Sequence, residues 1–386
     1  GGDNMKQYFQ DEHYMLQDMV RDFAANEVAP IAESLDKEER FPLELIPKLA
    51  ELGLLGIPFP EEYGGAGMDT LAYSLVIEEL AKVDSSVAIT VAAHISLGTS
   101  PIYLFGSEEQ KNAHLSNLIS GKYLACFGLT EPEAGSDAGG TKTTAVRDGD
   151  EWVINGSKNF ITNAGYSGVC NLTAVTDPEA KRPGGVSVFM VDPKTPGFII
   201  GPPEKKMGWR GSDTRALTFE NMRVPAGALL GELDVGFGHM MTALVGGRIS
   251  VAALSLGLAE GALQAALKYA DEREAFGKKI HRFQGVGMQL AEVATEIEAA
   301  RHLVYQASYD KDHGGNVVKA AAMAKLKASE TAVRAANMAV QVHGGYGYIK
   351  EFQVERFFRD AKVLTIGEGT SEVQKLVILK QLMKGL

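Results

Sequence analysis

Apolar and polar positions follow two periods along this chain, and the period changes twice. From Tyr8 to Asn26 apolar residues recur at helical spacing (Met15, Met19, Val20, Phe23), and Leu45 to Leu55 repeats the pattern. Pro30 and Pro42 punctuate this region. Pro58 and Pro60 close it before the loop Glu61-Glu62-Tyr63-Gly64-Gly65-Ala66-Gly67. Thr70 to Val83 and Val87 to Leu104 read as further helices. Near residue 124 turn pairs become frequent (Asp148-Gly149, Asn155-Gly156, Pro183-Gly184-Gly185, Pro196-Gly197), with β-type runs between them at Glu151–Ile154, Val186–Val191, Phe198–Ile200 and Ala216–Phe219. From about residue 237 the helical period returns in long Ala-rich stretches, Ile249–Asp271, Gly285–Tyr309 and Asn316–Val342, the last stopped by Gly344-Gly345. The pattern predicts a mainly α chain with a central β domain: an N-terminal helical domain over 1–123, a middle antiparallel β domain over 124–236 and a C-terminal helical bundle over 237–386.

A chain of 386 residues can bury a large core. Its formal charge of −11, from 38 basic and 49 acidic residues, argues against a general nucleic-acid binder and leaves room for a local basic pocket. Two cysteines, Cys126 and Cys170, make no disulfide framework and fit a reducing compartment; Cys126, inside an apolar run, reads as a core residue. No apolar run approaches the roughly 20 residues of a membrane span, and no secretory apolar segment is expected at the start. Eight scattered histidines lack metal-ligand spacing, so no metal is expected. Neither a dinucleotide-type Gly-x-Gly-x-x-Gly after a strand nor a Walker-type loop is present.

Two segments carry candidate chemistry. Residues 128–140, Gly-Leu-Thr-Glu-Pro-Glu-Ala-Gly-Ser-Asp-Ala-Gly-Gly, follow the apolar run Leu124–Phe127. A strand opening into such a loop presents backbone N–H groups and small hydroxyls together, which suits an anionic ligand; alone, the segment reads equally as a surface turn. Glu368 stands between Gly367 and Gly369, where a bare backbone lets other groups approach its carboxylate; alone, it reads as a solvated glutamate.

The first segment resembles a signature of the acyl-CoA dehydrogenase family. In the family's order follow Lys158-Asn159-Phe160-Ile161-Thr162-Asn163, Arg273-Glu274-Ala275-Phe276-Gly277-Lys278, the stretch Gln341-Val342-His343-Gly344-Gly345-Tyr346-Gly347-Tyr348 with Glu351, Arg356 and Asp360, and Gly367-Glu368-Gly369-Thr370-Ser371-Glu372-Val373-Gln374. The resemblance covers nearly the whole chain. It implies a helical domain, a β domain and a four-helix bundle, with FAD as cofactor. It also implies α,β-dehydrogenation of an acyl-CoA thioester to a trans-2-enoyl-CoA, as in fatty-acid β-oxidation. Glu368 would take the α-proton while the β-hydrogen leaves as hydride to flavin N5. Hydrogen bonds to the thioester carbonyl from the base's own N–H and a flavin ribitol hydroxyl would acidify that proton.

Further site residues follow from the same resemblance. Thr130 and Thr162 match residues at the isoalloxazine edge, and Phe160 an aromatic beside the ring. Ser136 matches a residue near the pyrophosphate or the substrate's pantetheine arm. Thr370 and Glu372 fall by the adenosine half or the pyrophosphate. Arg273, Phe276, Gln284, Gln341 and Gly345 match residues that reach FAD from a neighbouring subunit, which implies a homotetramer. Arg248 is expected at the acyl-CoA entrance, with Gly369 also against the substrate. Some relatives carry the base just before this arginine; here that residue is Gly247, which leaves Glu368. Gly367 replaces a common tyrosine and Val245 a common aspartate, which points to a short, branched, cyclic or aryl acyl group. Electrons would pass to an electron-transfer flavoprotein. Three alternatives stay open: an acyl-CoA oxidase of the same fold, a non-catalytic flavin- or CoA-binding protein, and a nitroalkane-type oxidase, which would carry Asp in place of Glu368. A bacterial cytoplasm is expected, with a mitochondrial matrix as the alternative.

Overall fold

The computed structural model describes residues 7–384. Asp11–Phe23 (α1) buries Leu16, Val20 and Phe23 at i, i+4, i+7. Met15 lies one residue off that stripe and is 73% exposed, contrary to its expected inner position. A π-turn over Ala24–Val28 passes the chain into Ala29–Glu38 (α2), where Pro30 sits in the first turn and its missing N–H has no cost. Leu45–Glu51 (α3), Thr70–Val83 (α4), Ser85–Ala92 (α5), Ser100–Phe105 (α6) and Glu108–Ile119 (α7) complete the first helical layer. Asp69 and Asp84 cap α4 and α5 by accepting the N–H groups of Ala72 and Val87.

A π-helical segment, Ala93–Thr99, joins α5 to α6, so Ser85–Phe105 is one 21-residue helix with a mean hydropathy of 1.4. The 37-residue Gly236–Glu272 (α8) reaches 1.5 in its most apolar 18-residue window, the measure that also gives the 1.4 above. By length and composition both could cross a bilayer, which corrects the expectation that no apolar run comes close. In the fold 78% and 72% of their apolar windows are buried inside the protein, so here they serve as core helices.

The chain then forms one sheet: Leu124–Gly128 (β1), Thr144–Asp148 (β2), Glu151–Thr162 (β3), Ser167–Val175 (β4), Val186–Val191 (β5), Phe198–Pro203 (β6), Thr214–Pro225 (β7) and Leu229–Leu230 (β8). The order is β6-β7-β3-β2-β4-β5-β8, with β1 beside β4. The sheet is not wholly antiparallel as expected. β1 runs parallel to β4, with Cys126 opposite Cys170, and β2 meets β4 in parallel at Thr144–Val175. The β2–β3 hairpin separates β1 from β4 in sequence, so no tight turn forces them antiparallel. β3 also runs through Asn155-Gly156, which read as a turn. Gly156 sits at a register shift with φ +148, against Thr143 where a Cβ would not fit.

The C-terminal part comprises α8, a short hairpin of Glu274–Ala275 (β9) and Lys278–Lys279 (β10), then Gln284–His313 (α9), Val317–His343 (α10), Gly345–Tyr348 (α11), Val354–Ala361 (α12) and Ser371–Met383 (α13). Small residues bring these helices close. Gly257 and Gly261 of α8 lie against the Glu78 and Lys82 carbonyls of α4, leaving no room for a Cβ. Ala321, Ala324, Ala328, Ala332 and Ala335 form the buried stripe of α10. One apolar core runs through both helical parts, and the sheet keeps its own around Trp152, Leu172, Phe189 and Phe219.

Polar contacts at α12 join all three parts. Asp360 accepts from Ser85 Oγ at 2.7 Å and from the Trp209 N–H at 2.7 Å, while Arg359 forks onto Asp36 at 2.8 and 2.7 Å. Burial pushes the Asp360 carboxyl up to about 6, and the nearby Asp84 adds to the rise. The segment after α12 carries Glu368 into the molecule's centre.

Candidate active site

Residues 366–370 leave a 3-10 turn and reverse direction. Ile366 and Gly367 donate their N–H groups to the Val363 carbonyl at 2.9 and 2.8 Å. Glu368 has φ +56 and Gly369 φ +88, so two successive residues are left-handed. For a glutamate this conformation costs on the order of 1–2 kcal/mol, and it persists because neighbours hold it. Gln374 Nε2 donates to the carbonyls of Glu368 (3.0 Å) and Gly369 (2.9 Å), and Lys325 Nζ donates to the Gly369 carbonyl at 2.8 Å. Thr370 caps α13 by accepting the Val373 N–H. Among the described residues the Glu368 N–H has no backbone partner.

The Glu368 side chain points at α8. Its Oε2 is buried without a hydrogen-bond partner and abuts Gly247, where a Cβ would lie 2.8 Å away. Leu97, from the π-helical segment, closes the same spot. Burial pushes the carboxyl up to about 7, against the opposing fields of Arg248 and Lys325. Arg248 is 8% exposed, with its Nε unpartnered. Lys325 is fully buried, and burial pushes its ammonium down to about 8. A carboxylate that titrates near neutrality in a water-poor pocket is equipped to exchange a proton with a bound molecule.

A second group gathers where β1 ends beside β3. The Thr130 carbonyl accepts the Asn159 N–H at 2.8 Å, which places Thr130 beside the strand that carries Phe160 and Thr162. A register shift between Lys158 and Ile161 turns Phe160 outward at φ +59 with 66% exposure. Below it lies a pair that sequence reasoning left without a role. Lys158, fully buried, donates to Glu131 (2.7 Å), Thr173 Oγ1 (2.9 Å) and the Leu129 carbonyl (3.3 Å), while Glu131 also accepts the N–H groups of Lys142 and Thr143. Ser136 stands exposed in the loop beyond, and Glu372 is exposed on the first turn of α13.

The third group lies elsewhere. Arg273 and Gly345 line a cavity of about 480 Å³ with Tyr269, His343, Gly344 and Tyr346. Gln341 is exposed on the last turn of α10 beside it, Gln284 heads α9, and Phe276 stands 95% exposed at φ +51. Among the described residues Arg273 has no ion-pair partner, and a Cβ at Gly344 or Gly345 would meet nothing within 4 Å. The guanidinium lies 5.8 Å from the centre of the Tyr346 ring, and such a group beside bare backbone suits a phosphate-bearing ligand. Gly247 and Arg273 are 26 residues apart on one helix, about 39 Å at 1.5 Å per residue. One ligand cannot bridge the Glu368 pocket and this cavity within a single protomer.

The chain matches the acyl-CoA dehydrogenase N-terminal domain over residues 10–122, the middle domain over 126–222 and the C-terminal domain over 234–383. It belongs to the acyl-CoA dehydrogenase family. A probable acyl-CoA dehydrogenase of Bacillus subtilis is 52% identical over 97% of this chain and 98% of its own length. A 3-(aryl)acrylate reductase of Clostridium sporogenes is 44% identical over 98% of this chain and all of its own. The structure of butyryl-CoA dehydrogenase from Megasphaera elsdenii superposes with a TM-score of 0.94 at 43% identity, covering 97% of this chain and 99% of that one. The helical, β and helical arrangement is that of the family, and the chain is an acyl-CoA dehydrogenase oxidoreductase of the fatty-acid β-oxidation type. The family is FAD-dependent, and FAD is the cofactor of this enzyme. The residues present fit that group: Phe160 and Phe276 are exposed aromatics on left-handed backbone, and Arg273, without an ion-pair partner among the described residues, shares a cavity with the bare backbone of Gly344 and Gly345.

Proposed function

We propose that this enzyme dehydrogenates a short acyl-CoA thioester between Cα and Cβ, with Glu368 as the base. The observation that carries the reading is the Glu368 carboxylate: its Oε2 is buried without a hydrogen-bond partner, and the group is pushed up to about 7 between two cations. Its raised proton affinity matches removal of a carbon-bound proton near neutral pH. The Glu368 N–H, without a backbone partner among the described residues, would donate to the thioester carbonyl and stabilise the charge that grows there, a contribution of about 3 kcal/mol for one donor. Gly369 and Arg248 line the acyl side of the same pocket. When bound, FAD supplies the acceptor for the β-hydride. The α-proton would go to the Glu368 carboxylate, and loss of the α-proton and the β-hydride would leave trans-2-enoyl-CoA.

On this reading Thr130, Thr162 and Phe160 hold the isoalloxazine, and Ser136, Thr370 and Glu372 lie along the pyrophosphate and adenosine half. Arg273, Phe276, Gln284, Gln341 and Gly345 serve the cofactor of a neighbouring protomer. The roughly 39 Å between Gly247 and Arg273 along α8 supports this sharing, and a homotetramer is the assembly we assign. Electrons leave to an electron-transfer flavoprotein, and the cytoplasm of a bacterium is the setting. For the acyl group, a Cβ on Gly367 would find only the Val363 carbonyl at 3.6 Å, so the glycine leaves open space beside the base. We assign that space to a branched, cyclic or aryl substituent.

The test is an anaerobic titration of the FAD-loaded protein with butyryl-, isobutyryl-, 2-methylbutyryl-, octanoyl-, cyclohexanoyl- and aryl-substituted acyl-CoA thioesters. Bleaching of the flavin by one of them, and its loss in Glu368→Gln, is expected. Full-rate bleaching in Glu368→Gln would remove Glu368 as the base, and a strict preference for butyryl-CoA would remove the assignment of a bulky substituent.

A further inference from the structure

Among the described residues, groups from four elements act on the Glu368 carboxylate. The π-helical segment contributes Leu97, which is apolar. Tyr73 of α4 lies within its field, and burial pushes this phenol far above its ordinary range, so it stays neutral. α8 contributes Gly247 and Arg248, and α10 contributes Lys325. Two buried cations therefore share one carboxylate. Lys325 has no carboxylate within salt-bridge distance among the described residues, and its one hydrogen bond is to the Gly369 carbonyl at 2.8 Å. An ammonium fully buried on the alanine stripe of α10 carries a large desolvation penalty, and one carbonyl bond does not offset it. The balance comes from the charge of Glu368, which raises the proton affinity of Lys325 as Lys325 lowers that of Glu368.

We propose that Lys325 is a positioning residue for the base: it fixes the left-handed Glu368–Gly369 turn through the Gly369 carbonyl and, with Arg248, holds a net positive field on the Glu368 carboxylate. The field has a direct consequence for proton removal. Burial raises the proton affinity of Glu368, and the two cations oppose that rise. They therefore keep a larger fraction of Glu368 ionised, and so able to accept a proton, near neutral pH. This inference rests on Glu368 as the base.

The experiment uses FAD-loaded wild type, Lys325→Met, Lys325→Gln and Lys325→Arg, with Glu368→Gln as reference. One readout needs no turnover: the infrared carbonyl band of protonated Glu368, identified by its absence in Glu368→Gln, is followed against pH. The other is the pH dependence of flavin bleaching by the best thioester of the panel. Removing a nearby positive charge raises a carboxyl's pKa. In Lys325→Met both midpoints are expected about one pH unit higher, with bleaching about tenfold slower below the wild-type midpoint. The two proteins should converge above about pH 8, where burial has left the lysine itself neutral. Lys325→Gln, which keeps a donor for Gly369 without the charge, should shift like Lys325→Met and serves if the latter does not fold. Lys325→Arg should restore the wild-type midpoint. Unchanged midpoints, with bleaching scaled equally at every pH, would overturn the proposal. The infrared midpoint reports on Lys325 even if full-rate bleaching in Glu368→Gln removes the base assignment.

Discussion

The Glu368 carboxylate rests against the bare Cα of Gly247, and a methyl group there would stand 2.8 Å from Oε2. The flexible end of the side chain can give way, so Gly247→Ala should fold normally with an unchanged melting temperature. The carboxylate would move by a fraction of an ångström from the substrate position. A shift of that order costs about 10- to 100-fold in the rate of proton removal. Stopped-flow bleaching should show that loss with FAD content intact. A variant with wild-type rates would mean that the carboxylate works from a rotamer pointing elsewhere.

Glu368 also ties stability to pH. Its proton affinity is raised on folding, from 4.5 to about 7, first by burial. The folded state thus binds a proton that the unfolded state releases. The resulting stability is fully present below pH 4.5 and is lost as pH rises through about 7, by about 3 kcal/mol if the whole shift is expressed. Glu368→Gln carries no such charge. Its melting temperature should exceed that of the wild type by more at pH 8 than at pH 5. Parallel curves for the two proteins would show that the carboxylate is better solvated than its unpartnered oxygen indicates.

Lys158 and Glu131 form a buried ion pair at 2.7 Å beneath the loop of residues 128–140. Burial pushes the lysine down to about 8 even though Glu131 opposes it. The glutamate, despite its own burial, is held below the usual carboxylate range by Lys158 and by the Lys142 and Thr143 backbone. Lys158→Met strands a buried carboxylate and should cost about 3–5 kcal/mol in denaturant unfolding. Adding Glu131→Gln removes the stranded charge and should recover a large part of that loss. A double variant as unstable as the single one would assign the cost to packing around the lysine stem.

How much of this was legible before folding depended on the kind of signal. The long Ala-rich helices α9 and α10 follow from helical periodicity, while Val186–Val191, buried on both faces, is legible as a short apolar run bounded by turn signals. Glu368 was found through its motif. Its partners were missed because their contacts span the chain: Lys325 lies 43 positions before Glu368, and Glu131 lies 27 before Lys158. A signal for Lys325 existed, a lysine on the alanine stripe Ala321, Ala324, Ala328, where a charge would need a reason to be buried. The extension of β3 through Asn155-Gly156 had no such mark, since a bulge and a turn use the same residues. The two left-handed phenylalanines, Phe160 and Phe276, were legible only as positions in motifs; their strain and exposure appear once the backbone is known.

Gly367 offers the sharpest control over substrate choice. It is not among the left-handed residues, and its Cβ direction is open beyond the Val363 carbonyl at 3.6 Å, so a side chain can be added without backbone strain. An aromatic ring there would fill the space beside Glu368 that we assign to a bulky acyl substituent. A pocket discriminates by what it excludes, and each displaced carbon group is worth about 1–3 kcal/mol. Gly367→Tyr should therefore keep its melting temperature and FAD content. It should lower kcat/KM for isobutyryl-, cyclohexanoyl- and aryl-substituted thioesters by about 10-fold or more relative to butyryl-CoA. Equal losses on every thioester would place residue 367 against the loop and not the acyl group, and the open space would then need another occupant.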